Sequence, residues 1–292
     1  MEINLTYMSG AGNTFTVVDN REYQYPADYW SALAYLLCSS NSYNKFATEG
    51  LLILNESANH DFEVFFFNPD GSQGMMCGNG GRCAVKFAWL EKFINDKQID
   101  NGIDFNMAGN IYHGEFVGEN IRLFFPPPSE IKENVEINFK DTNYSGTYIN
   151  VNSDHYCIDY DTIKDVLQVK DFRDFCIDKL ALRIRFHNDF QPKGVNVNFF
   201  KVDNRNLIQL RTYERGVEAE TGACGTGALS TAITAYKMNL IDLPVTLIPP
   251  SSSPLIVDIE FENNSIKTLI LEGSAEVKLK SKIILPDYFS KK

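Results

Sequence analysis

The sequence FEVFFFNPDGSQGMMCGNGGRC occupies residues 62–83 and contains the main elements of the predicted fold in order. Its apolar and aromatic run at 62–67 predicts a β-strand. The Asn-Pro-Asp-Gly segment that follows is typical of a turn. The glycines after Cys77 are typical of a helix start, and a buried helix is predicted to begin near Gly80.

A second stretch repeats this order in the other half of the chain. Residues 207–227 read LIQLRTYERGVEAETGACGTG, a strand and a loop that lead to Cys224 and to a helix predicted to begin near Gly227. This repeat predicts two similar domains that face each other across a cleft. Because the three prolines at 126–128 cannot lie within a helix or a central strand, we place the boundary there. The predicted domains are residues 1–125 and 126–275.

Many short β-branched or aromatic runs elsewhere predict a strand-rich chain with few helices, in the α/β class and of the α+β type. Further strands are predicted at 121–125, 181–186, 255–261 and 268–271, and a third helix at 29–38.

Composition and charge narrow the possible partners. The 292-residue chain is 44% hydrophobic and 22% charged, as in ordinary globular proteins, and its net charge is −11. Nucleic acids and anionic membrane surfaces would repel it, so neither is a predicted partner. We expect no signal peptide or membrane span, and therefore a cytoplasmic protein.

The six cysteines are scattered and form no Cys-x-x-Cys pair. Disulfides are therefore not expected. With only four histidines and no clustered ligand spacing, no metal site is predicted. Four of the cysteines are expected to be buried structural residues: Cys38, Cys83, Cys157 and Cys176.

The other two cysteines, Cys77 and Cys224, stand at predicted helix starts. The first turn of a helix presents unpaired N–H groups and the positive end of the helix dipole. Glycines there let a carboxylate approach the backbone. The same environment stabilises a thiolate and lowers the cysteine pKa from about 8.5. One such element is often only structural, but two together could bind one carboxylate and place two thiols near it.

A thiol and a thiolate are sufficient to invert an amino-acid α-carbon. Because the α-hydrogen is a very weak acid, inversion needs a base on one face and an acid on the other. Cys77 and Cys224 can fill both roles without a cofactor, and no lysine stands out as a pyridoxal phosphate ligand. The sequence therefore predicts a cofactor-free amino-acid epimerase or racemase, an isomerase with a small-molecule substrate.

At these motifs the sequence resembles the diaminopimelate epimerase family, within the cofactor-independent superfamily that includes proline racemase. The matching segments are residues 8–15, 17–20, 67–72, 77–83, 194–199, 211–216 and 223–227. The resemblance implies two pseudo-symmetric domains, each a barrel-like, mainly antiparallel sheet around a central helix, with the active site in the cleft between them. It also implies a strand near 276–292 that completes the first domain, and a homodimer.

The resemblance also implies roles for individual residues. Cys77 and Cys224 would be the acid and base, and Glu214 and His155 would help to set their protonation states. The substrate α-carboxylate would bind at Gly78, Asn79, Gly225 and Thr226. The far end of the substrate would bind at Asn13, Asn68, Ser153, Asn196 and Arg215, and Glu214 would also contact the substrate.

Some of these positions have simpler interpretations. Asn68 and Asp70 could form only a turn. Arg215 could form only a surface ion pair, although arginine suits a distal carboxylate. His155 could be only a hydrogen-bonded structural residue.

The sequence departs from the family pattern at four places: Thr14, Glu49-Gly50, Asn152-Ser153-Asp154 and Ser274. The family usually reads Gly-x-Pro-His where this chain reads Asn-Ser-Asp-His. These changes leave the cysteine chemistry intact and bear on the identity of the substrate.

Three functions are therefore compared. The leading hypothesis is the interconversion of LL- and meso-diaminopimelate, which feeds lysine and peptidoglycan synthesis. The second is another racemase of this fold, for proline, hydroxyproline or histidine. Proline-type members, however, carry histidine where this chain has Asn79, and proline has no distal carboxylate for Arg215. The third is a redox-responsive binding protein that pairs Cys77 with Cys224.

Overall fold

A computed structural model describes residues 2–41, 44–74, 76–95, 99–139 and 142–285. The chain divides into two compact units, one of Met1–Phe124 with Glu272–Lys292 and the other of Phe125–Leu271. Strands predominate among the described residues and helices are few, which confirms the predicted α+β class. Within the described part of the chain, no helix has the length and hydropathy that a membrane span requires.

Within its described residues, the first unit is a mixed sheet with two helices. Its strands are β1 (Glu2–Gly10), β2 (Asn13–Asp19), β3 (Gly50–Asn55), β4 (Phe62–Phe67), β5 (Ile103–Met107), β6 (Asn110–Val117), β7 (Asn120–Phe125) and β17 (Glu276–Ile284). Its helices are α1 (Ala27–Cys38) and α2 (Gly78–Leu90). Strand β17 pairs antiparallel with β1 along its length. Of the strand predicted near 276–292, residues 286–292 lie outside the described residues.

The second unit has the same mixed character. Its strands are β8 (Glu130–Phe139), β9 (Thr142–Asn150), β10 (Asp154–Asp159), β11 (Asn196–Asn204), β12 (Leu207–Glu214), β13 (Ala219–Glu220), β14 (Val245–Ile248) and β15 (Leu255–Glu262), followed by β16 (Ser265–Ser274). Its helices are α3 (Lys164–Leu167), α4 (Ile177–Arg185) and α5 (Gly225–Lys237). Short 3₁₀ turns lie at Tyr160–Thr162, Phe172–Asp174 and Asn188–Phe190.

The order of strand pairings is the same in both units. In the first, β1–β2, β3–β4 and β5–β6 are antiparallel, whereas β2–β3 and β4–β5 are parallel. In the second, β9–β10, β11–β12 and β14–β15 are antiparallel, whereas β10–β11 and β12–β14 are parallel. Parallel neighbours need a crossover connection. Helix α2 supplies it between β4 and β5, and α5 supplies it between β12 and β14.

The helix that follows Cys77 is held tightly inside its unit. Every residue from Gly78 to Val85 is buried, and α2 packs against β1, β2 and β3. A Cβ atom on Gly10 would lie 2.4 Å from the backbone oxygen of Asn79. Only glycine therefore allows β1 to approach the first turn of α2 this closely.

The helix that follows Cys224 is equally buried. Helix α5 packs against β9, β10, β11, β12 and β15. Its small and apolar side chains Ala228, Leu229, Ala232 and Ile233 are fully buried. Both glycine-rich helix starts are thus fixed by the surrounding strands, as the composition of the helices predicted.

Two expectations about the second unit are wrong. The strand predicted at 181–186 belongs to α4, because Ile177, Leu180, Ala181 and Ile184 bury one face at helical spacing. The alternation of apolar and charged residues there imitates the period of a strand. Cys176, expected to be buried, is exposed. It is the N-cap residue of α4, and its apolar neighbours occupy the interior instead. The other predicted strands and helices coincide with observed elements.

Candidate active site

Both motif cysteines are N-cap residues of a buried helix. Cys77 precedes α2 with φ −113° and ψ 114°, and Cys224 precedes α5 with φ −124° and ψ 112°. Extended backbone at this position is typical of an N-cap residue. Each thiol therefore lies at the positive end of a helix dipole, next to N–H groups of the first turn.

In the first unit, a chain of polar side chains starts at the motif. Arg82 Nη2 donates to Asn79 Oδ1 at 2.6 Å, and Asn79 Nδ2 donates to Asn13 Oδ1. Asn13 Nδ2 in turn donates to the Glu49 carboxylate. This series of hydrogen bonds runs from the buried Arg82 cation to the Glu49 carboxylate through two aligned amides. It fixes the orientation of both amide groups.

The predicted ligands Asn13 and Asn79 are thus brought together, but their side chains already bond to protein groups. Asn79 is 1% exposed and Asn13 is 8% exposed. The backbone N–H of Asn79, in the first turn of α2, is better placed to serve a carboxylate than its amide side chain.

Asn68 lies in a turn after β4, as the simpler interpretation stated. Its backbone N–H donates to Ser72 O, and Gly71 N donates to Asn68 O, both at 2.9 Å. Its side chain donates to Ser72 Oγ at 2.9 Å. Hydrogen bonds from Ser72 hold the pKa of Asp70 below its ordinary value. The turn is therefore built by its own side chains, and Asn68 Oδ1 faces no donor among the described residues.

In the second unit, the Cys224 thiol begins a different chain of contacts. Gly227 N donates to Cys224 Sγ at 3.4 Å, and Thr226 Oγ1 lies 3.6 Å from the same sulfur. Thr226 Oγ1 is also 3.0 Å from His155 Nε2. His155 Nδ1 lies 3.0 Å from Asn198 Nδ2. These contacts therefore link the predicted residues His155, Thr226 and Cys224 one after another.

The environment of His155 keeps its imidazole neutral. The residue is fully buried, and this burial lowers the pKa of His155 to about 3. Asn198 Oδ1 accepts from Thr212 Oγ1 at 2.9 Å, so its amide nitrogen is the donor toward Nδ1. The imidazole proton is then on Nε2 and points to Thr226, whose hydroxyl is free to donate to the Cys224 sulfur.

Three of the residues predicted to bind the far end of the substrate form one cluster. Asn196 Nδ2 donates to Ser153 Oγ at 2.9 Å, and Arg215 N donates to Asn196 Oδ1 at 2.9 Å. Arg215 Nη1 donates to Gly194 O at 3.2 Å and to Asp154 Oδ2 at 3.0 Å. Within the described residues, Arg215 Nε and Nη2 make no hydrogen bond. Two donors of the guanidinium group are thus available for a ligand.

Asp154 is the ion-pair partner of Arg215. Its Oδ1 accepts from Tyr148 Oη and from Asn150 Nδ2, each at 2.8 Å. Burial acts to raise the pKa of Asp154, but hydrogen bonds from Tyr148 and Arg215 and the charge of Arg215 lower it overall. The carboxylate is thus ionised near neutral pH and holds one edge of the guanidinium group in place.

Glu214 ends β12, one residue before Arg215. Its Oε1 accepts from Thr221 Oγ1 at 2.5 Å, and its neighbour across the β12–β13 ladder is Ala219. The bond to Thr221 ties Glu214 to the segment that leads to Cys224.

Three of the other cysteines are unsuited to proton transfer. Burial raises the pKa of Cys38 and of Cys157 to about 11, and that of Cys83 to about 12. All three are neutral thiols near pH 7. Among the described residues, no group of three His, Cys, Asp or Glu side chains is arranged to hold a metal ion.

Several residues of these networks were not identified as site residues from the sequence: Arg82, Glu49, Asp154, Asn198 and Thr212. Arg82 lies inside the Cys-Gly-x-Gly block, and a cation on the buried face of a helix was a signal for it. Glu49 and Asp154 are departures from the family pattern, which was also a signal. Asn198 and Thr212 can be identified as members of the network only once the register of β10, β11 and β12 is known.

Comparison with known proteins agrees with this geometry. A family model described as diaminopimelate epimerase matches residues 5–103 and 158–280. The diaminopimelate epimerase of Aquifex aeolicus is 32% identical over 276 residues, covering 91% of this chain and 92% of that protein. That of Hydrogenobaculum sp. is 33% identical over 277 residues, covering 92% and 94%. The crystal structure of a hydroxyproline epimerase from Agrobacterium vitis shares the fold, with a TM-score of 0.68 at 13% identity over 97% of this chain and 93% of that one.

Proposed function

Because the chain belongs to the diaminopimelate epimerase family, we propose that it interconverts LL- and meso-diaminopimelate by moving a proton at one α-carbon. Such an isomerase serves the synthesis of lysine and of peptidoglycan precursors. The observation that carries the proposal is the pair of N-cap cysteines, each at the start of a buried glycine-rich helix in the same order of strands.

Cys77 and Cys224 are the proposed acid and base. One cysteine, as thiolate, takes the α-proton from one face of the carbon. The other, as thiol, gives a proton to the opposite face, and the two exchange roles in the reverse direction. The helix dipole supports the thiolate form of each.

The backbone of the two helix starts is proposed to hold the α-carboxylate. The N–H groups of Gly78, Asn79, Gly225 and Thr226 lie in the first turns of these helices, at the positive end of the helix dipole. Negative charge that develops on the carboxylate as the proton leaves is stabilised by the same donors.

His155 contributes as a fixed donor rather than as a base. With a pKa lowered to about 3 by burial, its imidazole accepts no proton near pH 7. Its role is to orient the Thr226 hydroxyl toward the Cys224 sulfur. Glu214, which accepts a hydrogen bond from Thr221, is proposed to influence the protonation state of Cys224 through its negative charge.

The distal end of the substrate is proposed to bind at the Ser153–Asn196–Arg215 cluster. Arg215 has Nε and Nη2 available for a carboxylate, while Asp154 fixes Nη1. Asn13 and Asn68 stay proposed contacts of the distal group. The homodimer, the cytoplasmic location and the domain limits 1–125 and 126–275 also stay predictions.

The direct test measures conversion of LL-diaminopimelate, L-proline, trans-4-hydroxy-L-proline and L-histidine under reducing conditions. We expect activity with diaminopimelate alone and a loss of at least about 10³-fold in Cys77→Ser and Cys224→Ser, because each variant lacks one of the two bases. Cys176→Ser, an exposed cysteine, is the matched control and keeps full activity. Conversion of proline or histidine instead would contradict the substrate, and an active double cysteine variant would contradict the mechanism.

Arg215→Lys tests the distal site. Lysine keeps the charge but loses the planar fork that binds a carboxylate through two hydrogen bonds. We expect kcat/KM for diaminopimelate to fall about 10- to 100-fold, mainly through KM. An unchanged KM would remove Arg215 from the proposed distal site.

A further inference from the structure

Arg82 is a buried cation whose hydrogen-bond partners are all neutral. It is 0% exposed, its Nε donates to Ser274 O at 3.3 Å, and its Nη2 donates to Asn79 Oδ1. Nη1 has no hydrogen-bond partner, and no carboxylate lies within ion-pair distance of the guanidinium group among the described residues. Burying a cation in this way is costly unless an anion lies close enough to offset it.

Among the described residues, the acidic groups around Arg82 leave one candidate for that anion. Glu49 is separated from it by two amide side chains, and Glu276 of β17 is exposed. Cys83, next in the chain, is fully buried, and its pKa is raised to about 12. Cys77 remains, five residues earlier, at the N-terminus of the same helix.

The charges of Arg82 and Cys77 are coupled. Burial lowers the pKa of Arg82 to about 10, and negative charge on Cys83 or Cys77 acts to raise it. Such a coupling is reciprocal, so the protonated guanidinium favours the thiolate of Cys77 to the same extent. Arg82 stays protonated near pH 7.

The equivalent helix position in the second unit carries no cation. The residue five positions after Cys224 is Leu229, which is fully buried. Two contacts of the Cys224 sulfur, with Thr226 Oγ1 and with Gly227 N, involve neutral donors. A full charge in a buried setting stabilises an anion more than neutral donors do. The two half-sites therefore differ in the charge of the buried residue five positions after the cysteine, and this charge favours a thiolate at Cys77.

We propose that Arg82 is a positioning residue that holds Cys77 as the thiolate of the resting enzyme and leaves Cys224 as the thiol. This assignment rests on the proposed function of the two cysteines. It also gives the enzyme a defined starting state, in which Cys77 is the sulfur that removes the first proton.

The test is the pH dependence of alkylation by iodoacetamide, which reacts with thiolates and needs no substrate. All variants carry Cys176→Ser, because that exposed thiol would react in the background. Cys224→Ser then reports on Cys77, and Cys77→Ser reports on Cys224, with the modified site identified by peptide mass spectrometry. Arg82→Met removes the charge, Arg82→Lys keeps it, and Leu229→Met is the matched control in the other helix.

We expect the alkylation midpoint of Cys77 to lie at least one pH unit below that of Cys224. Arg82→Met should raise the Cys77 midpoint by one unit or more, which slows its alkylation about tenfold at pH values well below both midpoints. Arg82→Lys should restore it, and Leu229→Met should move neither midpoint.

A Cys77 midpoint equal to or above that of Cys224 overturns the assignment even if Arg82→Met fails to fold. An unshifted midpoint in folded Arg82→Met overturns the role of Arg82. Inactivity with diaminopimelate alongside the expected midpoints would contradict only the proposed function.

Discussion

Replacing Asp154 with asparagine should destabilise the second unit measurably. The Asp154 side chain is 13% exposed and accepts hydrogen bonds from Tyr148, Asn150 and Arg215. Asparagine keeps the shape but has one acceptor oxygen for three donors, and it leaves the Arg215 charge without its partner. Breaking a buried ion pair costs about 3–5 kcal/mol. Because the Arg215 side chain is 21% exposed and water can solvate part of the group, we expect a loss of about 2–3 kcal/mol at pH 7.

The pH dependence of that loss has a definite sign. The pKa of Asp154 is lower in the folded protein than its unfolded value of about 3.9. Its ionised form therefore contributes stability in full above the unfolded pKa, and the contribution disappears as the pH falls through the folded pKa. The difference between wild type and Asp154→Asn should be constant from pH 8 to pH 5 and should shrink below about pH 4.

Urea unfolding followed by circular dichroism from pH 8 to pH 3 measures the difference. Asp174→Asn, at an exposed position in the same unit, is the matched control and should change the free energy of unfolding by less than about 0.5 kcal/mol. A loss below 0.5 kcal/mol for Asp154→Asn at pH 7, or a difference that does not shrink in acid, would refute the reasoning.

Two other substitutions test the helix starts. Gly10→Ala would place a methyl group 2.4 Å from the backbone oxygen of Asn79, and we expect a loss of about 1–3 kcal/mol in the free energy of unfolding. Its control is Gly222→Ala, whose Cβ would meet only an ordinary contact at 3.7 Å, and equal losses in both would count against the argument. Thr226→Val keeps the shape but leaves the buried Nε2–H of His155 unpaired, so we expect a loss of about 1–3 kcal/mol in unfolding experiments and a lower kcat. Unchanged stability and kcat would contradict the hydrogen-bond chain.

Local sequence predicted most of the elements because their patterns were unambiguous. The strands at 62–67 and 207–213 and both glycine-rich helix starts were identified from aromatic runs, turn residues and glycines. Helix α4 was missed because its charged residues alternate with apolar ones over a short span. Only the packing of Ile177, Leu180 and Ile184 on the core distinguishes the helical period from that of a strand.

The sequence predicts the motifs of the candidate site, but it does not predict which side chains contact the motif residues. The positions of Cys77 and Cys224 at helix starts follow from sequence alone, because the Cys-Gly-x-Gly pattern describes a helix start. The neutral state of His155 does not, because it depends on burial and on Asn198 from the adjacent parallel strand. The asymmetry between Arg82 and Leu229 is visible in the sequence, but its meaning depends on both residues being fully buried.

The two-base mechanism, in which one cysteine takes the α-proton and the other delivers a new one, is tested most directly by converting LL-diaminopimelate in deuterium oxide. The quantity measured is the deuterium at the α-carbon. Each thiol carries one exchangeable hydrogen, so the base that takes the α-proton can return only that proton, and the other thiol delivers deuterium. At early times we predict deuterium at the inverted α-carbon of the meso product and none in the recovered LL substrate. A meso product that retains the original hydrogen would show that a single base serves both faces, and would contradict the assignment of Cys77 and Cys224 as a pair.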